Sequence, residues 1–369
     1  MASSFSGVTS FIVLAFLCVA VHVAYGTDQE NNRPVMFIFG DSTADVGTNN
    51  FLKTRAKANA PYYGIDFPNR VPTGRFSNRF NIIDHIAQLF GYKESPLPYL
   101  FLRHHQYAFN KTVLGGVNFA SGGSGILRDT GKQNFGKVVP LEQQVEQFAV
   151  VRATIADKLG TNQTATFLSK ALFIISVGGN DLFEFPSNKT ATLAQKQYLS
   201  ALQSNFSTQI MNLYESGARR FGIINVAAIG FCPAVRANNS GESDDGLNQF
   251  AAAFNFETAS LLEKLSNDLR DFKYSFGNSF LMTLEVLQNP RLVGVKETKK
   301  ACCGVGRFNG EGPCLKAKKA ELCVDRGDFL FWDWVHPTDK ASRSAAASLF
   351  NGTSPVVTPI NFRQLADQI

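Results

Sequence analysis

Short runs of consecutive apolar residues alternate along this 369-residue chain with longer segments in which apolar positions recur every three or four residues. The short runs are typical of strands buried on both faces, and the longer segments are typical of amphipathic helices. Strands are predicted at Val35–Phe39, Val113–Phe119, Ala171–Val177, Phe221–Val226 and Ser279–Leu284. Helices are predicted at 80–90, 141–159, 193–216, 244–272 and 341–350. This alternation indicates an α/β fold whose parallel sheet is covered by helices on both faces.

The N-terminal region contains an apolar run over residues 11–23, with small residues shortly before Thr27. A membrane anchor needs about 20 apolar residues, so we interpret the run as a secretory signal peptide over residues 1–26. No composition break or internal repeat divides residues 27–369, and we expect a single domain there. Without a later membrane span, the expected location is extracellular, in the cell wall or apoplast, with the vacuole as the alternative.

Six Asn-x-Ser/Thr sequons support export, because each can accept an N-linked glycan on an exposed surface. Their asparagines are Asn110, Asn162, Asn188, Asn205, Asn238 and Asn351.

The cysteines also fit an oxidising compartment. Cys18 belongs to the predicted signal peptide, and the five that remain are Cys232, Cys302, Cys303, Cys314 and Cys323. The last four lie close together without a C-x-x-C pair or a neighbouring His, so we expect disulfides rather than a metal site. The pairing, and the fate of the odd cysteine, are left open by the sequence.

The formal net charge of +6 is diffuse, and its densest part is a group of lysines between residues 296 and 319. No alternating basic and aromatic pattern accompanies these lysines, so nucleic-acid binding is not expected. The simplest interpretation is a solvated basic loop, and the alternative is a loose attraction to acidic cell-wall polysaccharide or to a membrane surface.

Three of the predicted strands are followed by short, polar loops that contain glycine. The carboxyl ends of parallel strands meet at one edge of a sheet, where ligands bind. The loops are Gly40-Asp41-Ser42, Ala120-Ser121-Gly122-Gly123 and Gly178-Gly179-Asn180-Asp181. We therefore expect one site to be assembled from all three loops.

Ser42, Asp333 and His336 supply a nucleophile, a carboxylate that orients a base, and the base itself. The spacing of three residues between Asp333 and His336 lets one turn of chain place both on the same side. No other histidine of the mature chain has an attached Asp at a useful spacing within a loop; the others are His85, His104 and His105. This set predicts acyl transfer at an ester or amide carbonyl.

Such chemistry also needs donors for an oxyanion. We expect the backbone N–H groups of Ser42 and Gly122 and the side-chain amide of Asn180 to supply them, with Gly123 as the alternative to Gly122. No metal and no organic cofactor is required by this set. The chain has no G-x-S-x-G, which argues against the nucleophile elbow of an α/β-hydrolase.

Four sequence blocks resemble the GDSL family of lipases and esterases, also called SGNH hydrolases. They are Phe37–Asn50 with its Phe-Gly-Asp-Ser, Gly116–Gly123, Val177–Asp181 and Asp333–Pro337. Pro72–Asn78 and Ala301–Gly304 further resemble the large plant secreted branch of that family, and the resemblance covers about residues 33–351. One position departs from the pattern, since Thr43 stands where the family name has Leu.

The resemblance implies a three-layer α/β/α sandwich with a five-stranded parallel sheet, the flavodoxin-like SGNH hydrolase fold. It also implies Ser42 as nucleophile, His336 as base and Asp333 as its orienting residue, with Gly122 and Asn180 as oxyanion donors beside the Ser42 amide. The expected function is a secreted serine esterase or lipase acting on a small-molecule or lipid ester. The alternatives are an acyltransferase that passes the acyl group to an alcohol, and a non-catalytic lipid- or carbohydrate-binding protein.

Overall fold

The computed structural model describes residues 33–185 and 192–368, so the predicted signal peptide and the sequon at Asn188 lie outside the described residues. In this part of the chain the strands β1 to β8 are Met36–Gly40, Gly116–Asn118, Leu172–Ser176, Arg220–Ile224, Lys273–Gly277, Cys303–Gly304, Glu321–Leu322 and Val357–Pro359. The helices α1 to α13 are Ile82–Leu89, Tyr99–His104, Gln106–Thr112, Lys132–Phe135, Leu141–Leu159, Thr161–Lys170, Gly179–Glu184, Thr192–Glu215, Pro233–Asn238, Asp245–Asp268, Ser279–Gln288, Asp339–Asn351 and Phe362–Ala366.

The central sheet contains six strands in the order β2-β1-β3-β4-β5-β8. Strands β1 to β5 run parallel, and β8 pairs antiparallel with β5 at one edge. The order of the first five strands, 2-1-3-4-5, is that of a flavodoxin-like sheet. The predicted five-stranded parallel sheet is confirmed, and β8 adds an edge strand that was not predicted.

Alternate residues of the central strands pack into two separate cores, one on each face of the sheet. In β1, Phe37 and Phe39 belong to one core, whereas Met36 and Ile38 belong to the other, and all four are fully buried. Helices α5, α8 and α10 contribute to the first core, and α1, α12 and α13 contribute to the second. The uninterrupted apolar run of β1 follows from this burial on both faces, and the predicted three-layer sandwich is confirmed.

The strand predicted at Ser279–Leu284 is wrong, because this segment is the first part of helix α11. The fifth parallel strand is β5, which precedes it. The side chain of Asn278 accepts a hydrogen bond from the Leu281 N–H at 3.0 Å and caps the helix start. A short segment of six residues, four of them apolar, fits a buried strand or a helix equally well, and the exposed Lys273 weakens the apolar signal of the true strand.

Two other boundaries differ from prediction by three residues or more. The second predicted strand shrinks to Gly116–Asn118, because Val113–Gly115 forms a 3-10 turn. The helix predicted over 244–272 ends at Asp268, and the chain then passes directly into β5. Within the described residues, no helix combines the length and apolar character that crossing a bilayer requires.

Candidate active site

The loop after β1 places Ser42 at the carboxyl edge of the sheet. Gly40 has a φ of 147°, and a Cβ at this position would collide with the carbonyl oxygen of Ser176 at the end of β3. The Asp41 N–H donates to the same oxygen at 3.1 Å. Glycine is therefore required for the close approach of the two strands that carry the loops of the site.

Ser42, His336 and Asp333 form one continuous chain of hydrogen bonds. The Nε2 atom of His336 lies 2.7 Å from Ser42 Oγ, and its Nδ1 atom lies 2.8 and 2.9 Å from the two carboxylate oxygens of Asp333. Ser42 is 9% exposed, His336 is 6% exposed and Asp333 is fully buried. The structure thus brings together the three residues that the sequence proposed as a group, in the order that nucleophilic catalysis requires.

The Asp333 carboxylate has further partners that keep it ionised. Its Oδ1 atom accepts from the backbone N–H groups of Val335 and His336, and its Oδ2 atom accepts from the Tyr63 hydroxyl at 2.8 Å. Burial alone would raise the pKa of Asp333, but the charge of His336 and these hydrogen bonds hold that pKa below its ordinary value. Burial and the nearby charge of Asp333 raise the pKa of Tyr63 well above its ordinary value, so the phenol remains a donor.

The imidazole ring of His336 and its backbone have further contacts besides Asp333. The ring of Phe76 packs against it with centroids 4.9 Å apart and an interplanar angle of 36°. The Trp332 N–H donates to the His336 carbonyl oxygen at 2.7 Å and closes the loop that carries Asp333 and His336. The ring is consequently fixed by packing and by its backbone as well as by the carboxylate.

Two of the expected oxyanion donors are available in this geometry. Among the described residues, none accepts a hydrogen bond from the Ser42 N–H. The Asn180 side-chain amide donates to the Ser124 carbonyl oxygen at 2.8 Å, which uses one of its two N–H groups. Asn180 and Ser42 line the same cavity.

The third expected donor, Gly122, does not fit this role in the structure. Its N–H donates to the Oδ2 atom of Asp45 at 2.9 Å and is therefore already satisfied. A Cβ on Gly122 would collide with the ring of Phe76, so the glycine is needed for packing. Gly123 stays a predicted alternative, and its φ of 78° lies in the left-handed region that favours glycine.

Asp45 is a functional residue that the sequence analysis missed. It is fully buried, and its Oδ1 atom accepts from the N–H groups of Gly47 and Thr48, both at 2.7 Å, while Oδ2 accepts from Gly122. Burial raises the pKa of Asp45 to about 6 despite these bonds. Its carboxylate ties the loop after β1 to the loop after β2.

Asp181 performs the corresponding task for the loop after β3. It accepts from the N–H groups of Ile126 and Leu127 at 2.9 and 3.1 Å and from the Thr130 hydroxyl at 2.7 Å. Burial raises its pKa to about 6 as well. Each of the three glycine-bearing loops is therefore anchored by a buried carboxylate, a role that depends on contacts distant in sequence.

Thr43, the departure from the family pattern, has a polar role at the floor of the site. Its hydroxyl donates to Asp41 Oδ1 at 2.8 Å and lies 2.9 Å from the Ser176 hydroxyl, while its N–H also donates to Asp41. Burial raises the pKa of Asp41, and the hydrogen bonds from Thr43 oppose that rise. A leucine at this position could not make the hydroxyl contacts.

A cavity of about 430 Å³ opens beside Ser42 and His336. Its walls are mainly apolar, and they include Phe183, Val226, Met282, Val286, Leu292 and Phe331. The volume lies within the range of about 300–1,000 Å³ that is usual for small-molecule sites. The Cys232 thiol also lines the cavity, and burial raises its pKa to about 12, which keeps it neutral.

The four clustered cysteines form two disulfides, Cys302–Cys323 and Cys303–Cys314. The expectation of disulfides is thus confirmed, and the pairing left open by the sequence is resolved. Cys232 is the odd cysteine, and its thiol is free and buried.

Similarity to known proteins agrees with this site. The sequence profile described as GDSL-like lipase/acylhydrolase matches residues 36–349, which include all three members of the hydrogen-bonded chain. The chain belongs to this family. It is a carboxylic ester hydrolase, and the resemblance noted from the sequence blocks is confirmed.

Similar proteins occur in plants. GDSL esterase/lipase At5g55050 of Arabidopsis thaliana is 37% identical over 341 residues, covering 90% of this chain and 89% of that protein. GDSL esterase/lipase LTL1 of the same plant is 37% identical over 347 residues, covering 92% of each chain. A solved structure of a catalytic mutant of Axe2, an acetylxylan esterase from Geobacillus stearothermophilus, aligns with a TM-score of 0.37 at 12% identity, covering 85% of this chain and 91% of that chain.

Proposed function

We propose that the protein is a secreted serine esterase or lipase that hydrolyses a carboxylic ester through an acyl-enzyme on Ser42. The observation that carries the proposal is the distance of 2.7 Å between Ser42 Oγ and His336 Nε2, with Asp333 bonded to the opposite ring nitrogen. A non-catalytic binding protein would not require this buried chain of three groups.

The acylation step begins when Ser42 attacks the ester carbonyl carbon and gives its proton to His336 Nε2. Asp333 stabilises the resulting imidazolium and holds the ring in the tautomer with hydrogen on Nδ1. The Ser42 N–H and the remaining N–H of Asn180 donate to the developing oxyanion. His336 then protonates the leaving alcohol, and the acyl group stays on Ser42.

The second step repeats this chemistry with a different nucleophile. Water gives a proton to His336 and attacks the acyl carbonyl, and the same donors stabilise the second oxyanion. His336 returns the proton to Ser42 Oγ as the carboxylic acid leaves. The balance is one ester and one water converted into one acid and one alcohol.

The cavity supports a substrate with a substantial apolar part. Apolar side chains of α11 and of the segment that follows it form one wall, and Phe331 and Val335 line the cavity from the segment that carries Asp333 and His336. Each methylene group buried there contributes about 0.8 kcal/mol. We therefore favour an ester with a long acyl or an aryl group over an acetylated sugar.

The same apolar walls support an acyltransferase as the second candidate. The transfer of an organic alcohol from water into such an apolar cavity is favourable, whereas the transfer of a water molecule is not. Transfer needs no additional residue, because His336 activates either nucleophile in the same way.

Export is supported by surface features of the folded chain. The five described sequon asparagines are exposed, namely Asn110, Asn162, Asn205, Asn238 and Asn351. The two disulfides suit an oxidising compartment. Within the basic loop, Lys296 and Lys300 pair with acidic side chains, but Lys316, Lys318 and Lys319 are exposed and support a loose attraction to acidic cell-wall polysaccharide.

The central test measures the hydrolysis of p-nitrophenyl esters by the purified protein and by its Ser42→Ala variant. We expect the variant to lose at least about a thousandfold in kcat, because it lacks the nucleophile and keeps only the residual acceleration from the oxyanion donors and substrate binding. A phosphonate ester should also label the wild-type protein at Ser42. Equal turnover by both proteins would rule out the acyl-enzyme.

A second test compares ester chain lengths in a Val286→Trp variant. Val286 lines the cavity on α11, so the larger ring should slow the hydrolysis of long-chain esters and spare that of short-chain esters. Val150→Trp provides the matched control, because Val150 is 43% exposed on α5 and does not line the cavity. An unchanged chain-length profile in Val286→Trp would show that the acyl chain lies elsewhere.

Hydrolysis and transfer are separated by supplying one acyl donor with and without a panel of alcohols. If the new ester never exceeds the free acid, the transferase alternative is rejected. If it does exceed the free acid, transfer is the main activity.

A further inference from the structure

The Asp333 carboxylate is held from two sides. Its Oδ1 atom accepts from the N–H groups of Val335 and His336, which belong to the same loop. Its Oδ2 atom accepts from the hydroxyl of Tyr63 at 2.8 Å, although the two residues are 270 positions apart. Since an ionised carboxylate only accepts, the phenol is the donor. The Tyr63 hydroxyl thus connects Asp333 to a separate segment of the chain.

Packing fixes the Tyr63 ring. Tyr63 is 3% exposed, and its ring meets Phe76 and Trp332 edge to face, at centroid distances of 6.0 and 6.3 Å. Phe76 also packs against the imidazole of His336. One aromatic group therefore supports both Asp333 and His336, and the hydroxyl has little freedom to leave the carboxylate.

The loop that contains the two disulfides is hydrogen-bonded both to the segment before Tyr63 and to the segment before Asp333. The Lys316 N–H donates to the Pro61 carbonyl oxygen at 2.8 Å, and the Cys303 N–H donates to the Trp332 carbonyl oxygen at 2.8 Å. These two bonds fix the position of the backbone before Tyr63 relative to the backbone before Asp333. The hydroxyl-to-carboxylate distance is set by this framework.

A charge-assisted hydrogen bond of this kind has two effects on a buried carboxylate. It stabilises the ionised form, and it limits rotation of the carboxylate plane away from the His336 Nδ1 atom. Without the hydrogen bond from Tyr63, the Oδ2 atom of Asp333 would keep only the His336 imidazole as a partner, at a position closed to solvent. The carboxylate would then hold the imidazolium proton more tightly and orient the ring less well.

We propose that Tyr63 is a positioning residue of this active site, whose hydroxyl fixes the Asp333 carboxylate and thereby aims His336 Nε2 at Ser42 Oγ. The inference rests on the proposed function for the role of His336 as base. It adds a fourth side chain to the hydrogen-bonded chain, one that touches neither substrate nor nucleophile.

The test replaces Tyr63 with Phe, which removes the hydroxyl and keeps the ring that packs on Phe76 and Trp332. We expect kcat to fall about ten- to hundredfold, the effect of one hydrogen bond to a charged group, with KM nearly unchanged. The acidic limb of the kcat/KM profile should move to higher pH, because the less satisfied carboxylate holds the His336 proton more strongly. Tyr62→Phe is the matched control, since Tyr62 is the adjacent, half-buried tyrosine and should leave both properties unchanged.

Two outcomes overturn the proposal. The first is a Tyr63→Phe enzyme with the kcat and pH limb of the wild type. The second is a lower kcat with an unmoved limb, which a purely structural loss would produce. Thermal unfolding of each variant shows whether the fold is intact.

A readout that needs no turnover separates this proposal from the proposed function. The Nδ1 proton of His336 should give a low-field proton NMR signal, and Tyr63→Phe should shift both that signal and its titration midpoint, whereas Tyr62→Phe should not. An unchanged signal overturns the positioning role even where the esterase activity is real. An active Ser42→Ala variant overturns the esterase mechanism whatever the signal does.

Discussion

The two amide hydrogens of the Asn180 side chain have different roles. One N–H is bonded to the Ser124 carbonyl oxygen, which fixes the side chain, and the other remains available at the cavity that Ser42 lines. A donor fixed before the reaction costs no reorganisation when the oxyanion forms.

We therefore expect Asn180→Ala to lower kcat about a hundredfold or more and to change KM little, because the lost bond forms mainly in the transition state. Steady-state kinetics on a short-chain aryl ester measures both constants. Asn180→Asp retains the size but cannot donate when ionised, and it should lose at least as much. A wild-type kcat in Asn180→Ala would exclude this residue from the oxyanion site.

Which residues the sequence could predict depends on where their partners lie. Asp333 and His336 were predicted from their types and their spacing of three residues, and Ser42 was predicted from its place in a short loop after a strand. Tyr63 could not be, because its role is one contact across 270 positions. The hydrogen bond from the Gly122 N–H to Asp45 could not be predicted for the same reason, since the partner of a backbone N–H is not encoded next to it.

Among the elements, the hairpin of β6 and β7 is the part of the described fold most dependent on covalent links. Its two strands contain two residues each; Cys302–Cys323 links the residues that flank the two strands, and Cys303–Cys314 links β6 to the segment between them. Backbone hydrogen bonds from Cys302 and Cys303 then reach the segment before Asp333. The disulfides consequently affect both stability and the catalytic loop.

Replacing Cys303 and Cys314 together by Ser should lower the free energy of unfolding by about 2–4 kcal/mol, the usual loss for a native disulfide. Chemical denaturation of the oxidised protein and of the variant measures this difference. We also expect kcat to fall more than KM changes, because the loop behind Asp333 loosens.

The thiol count provides the control for that experiment. The mature wild-type protein, denatured without reductant, should present the single thiol of Cys232, and reductant should expose the other four cysteines. A variant as stable as the wild type would show that the bridge is not a structural support.

Some strands and helices could be predicted from the pattern of apolar residues, and others could not. The helix Leu141–Leu159 lies where it was predicted, because its apolar period is long and regular. The strand at Ser279–Leu284 was wrong, because a short apolar run carries no period and the capping role of Asn278 was not recognised. The antiparallel β8 was missed, since a three-residue edge strand gives almost no signal.

For the whole molecule, buried carboxylates act on stability in two different pH ranges. Burial raises the pKa of Asp45 and Asp181 from 3.8 to about 6, so between these values the folded protein binds more protons than the unfolded chain. Through these two groups the free energy of unfolding falls as the pH rises from about 4 to about 6. The groups with a lowered pKa lose their contribution only as the pH falls below about 4; they are Asp66, Asp333 and Asp339.

Asp181→Asn should therefore flatten the pH dependence of stability between about pH 4 and pH 6. A pKa raised from 3.8 to about 6 corresponds to about 3 kcal/mol, and the variant should lack about this much of the change. Urea denaturation at several pH values measures the slope, which is separate from any uniform loss caused by the altered hydrogen bonds.

Asp129→Asn is the matched control, because the Asp129 side chain is 90% exposed. It should leave the slope of the wild type unchanged. If Asp181→Asn also keeps that slope, Asp181 does not titrate in this range and the argument from burial fails.

The parallel sheet and its layers were predictable from the sequence because burial on both faces leaves uninterrupted apolar runs. The cavity could not be predicted from the sequence, since its walls come from β4, α11, α12 and the loops between them. The shape of a space between elements depends on packing that no single segment encodes.

Because 294 residues separate Ser42 from His336, we expect the enzyme to become active only late in its synthesis. During synthesis the nucleophile leaves the ribosome early, and its base follows only after nearly the whole sheet has been made. Until the C-terminal loop docks, the serine is an ordinary alcohol. A nascent chain, or one that terminates before the C-terminal loop, has no base for its serine, and we expect it to leave esters uncleaved until the chain is complete.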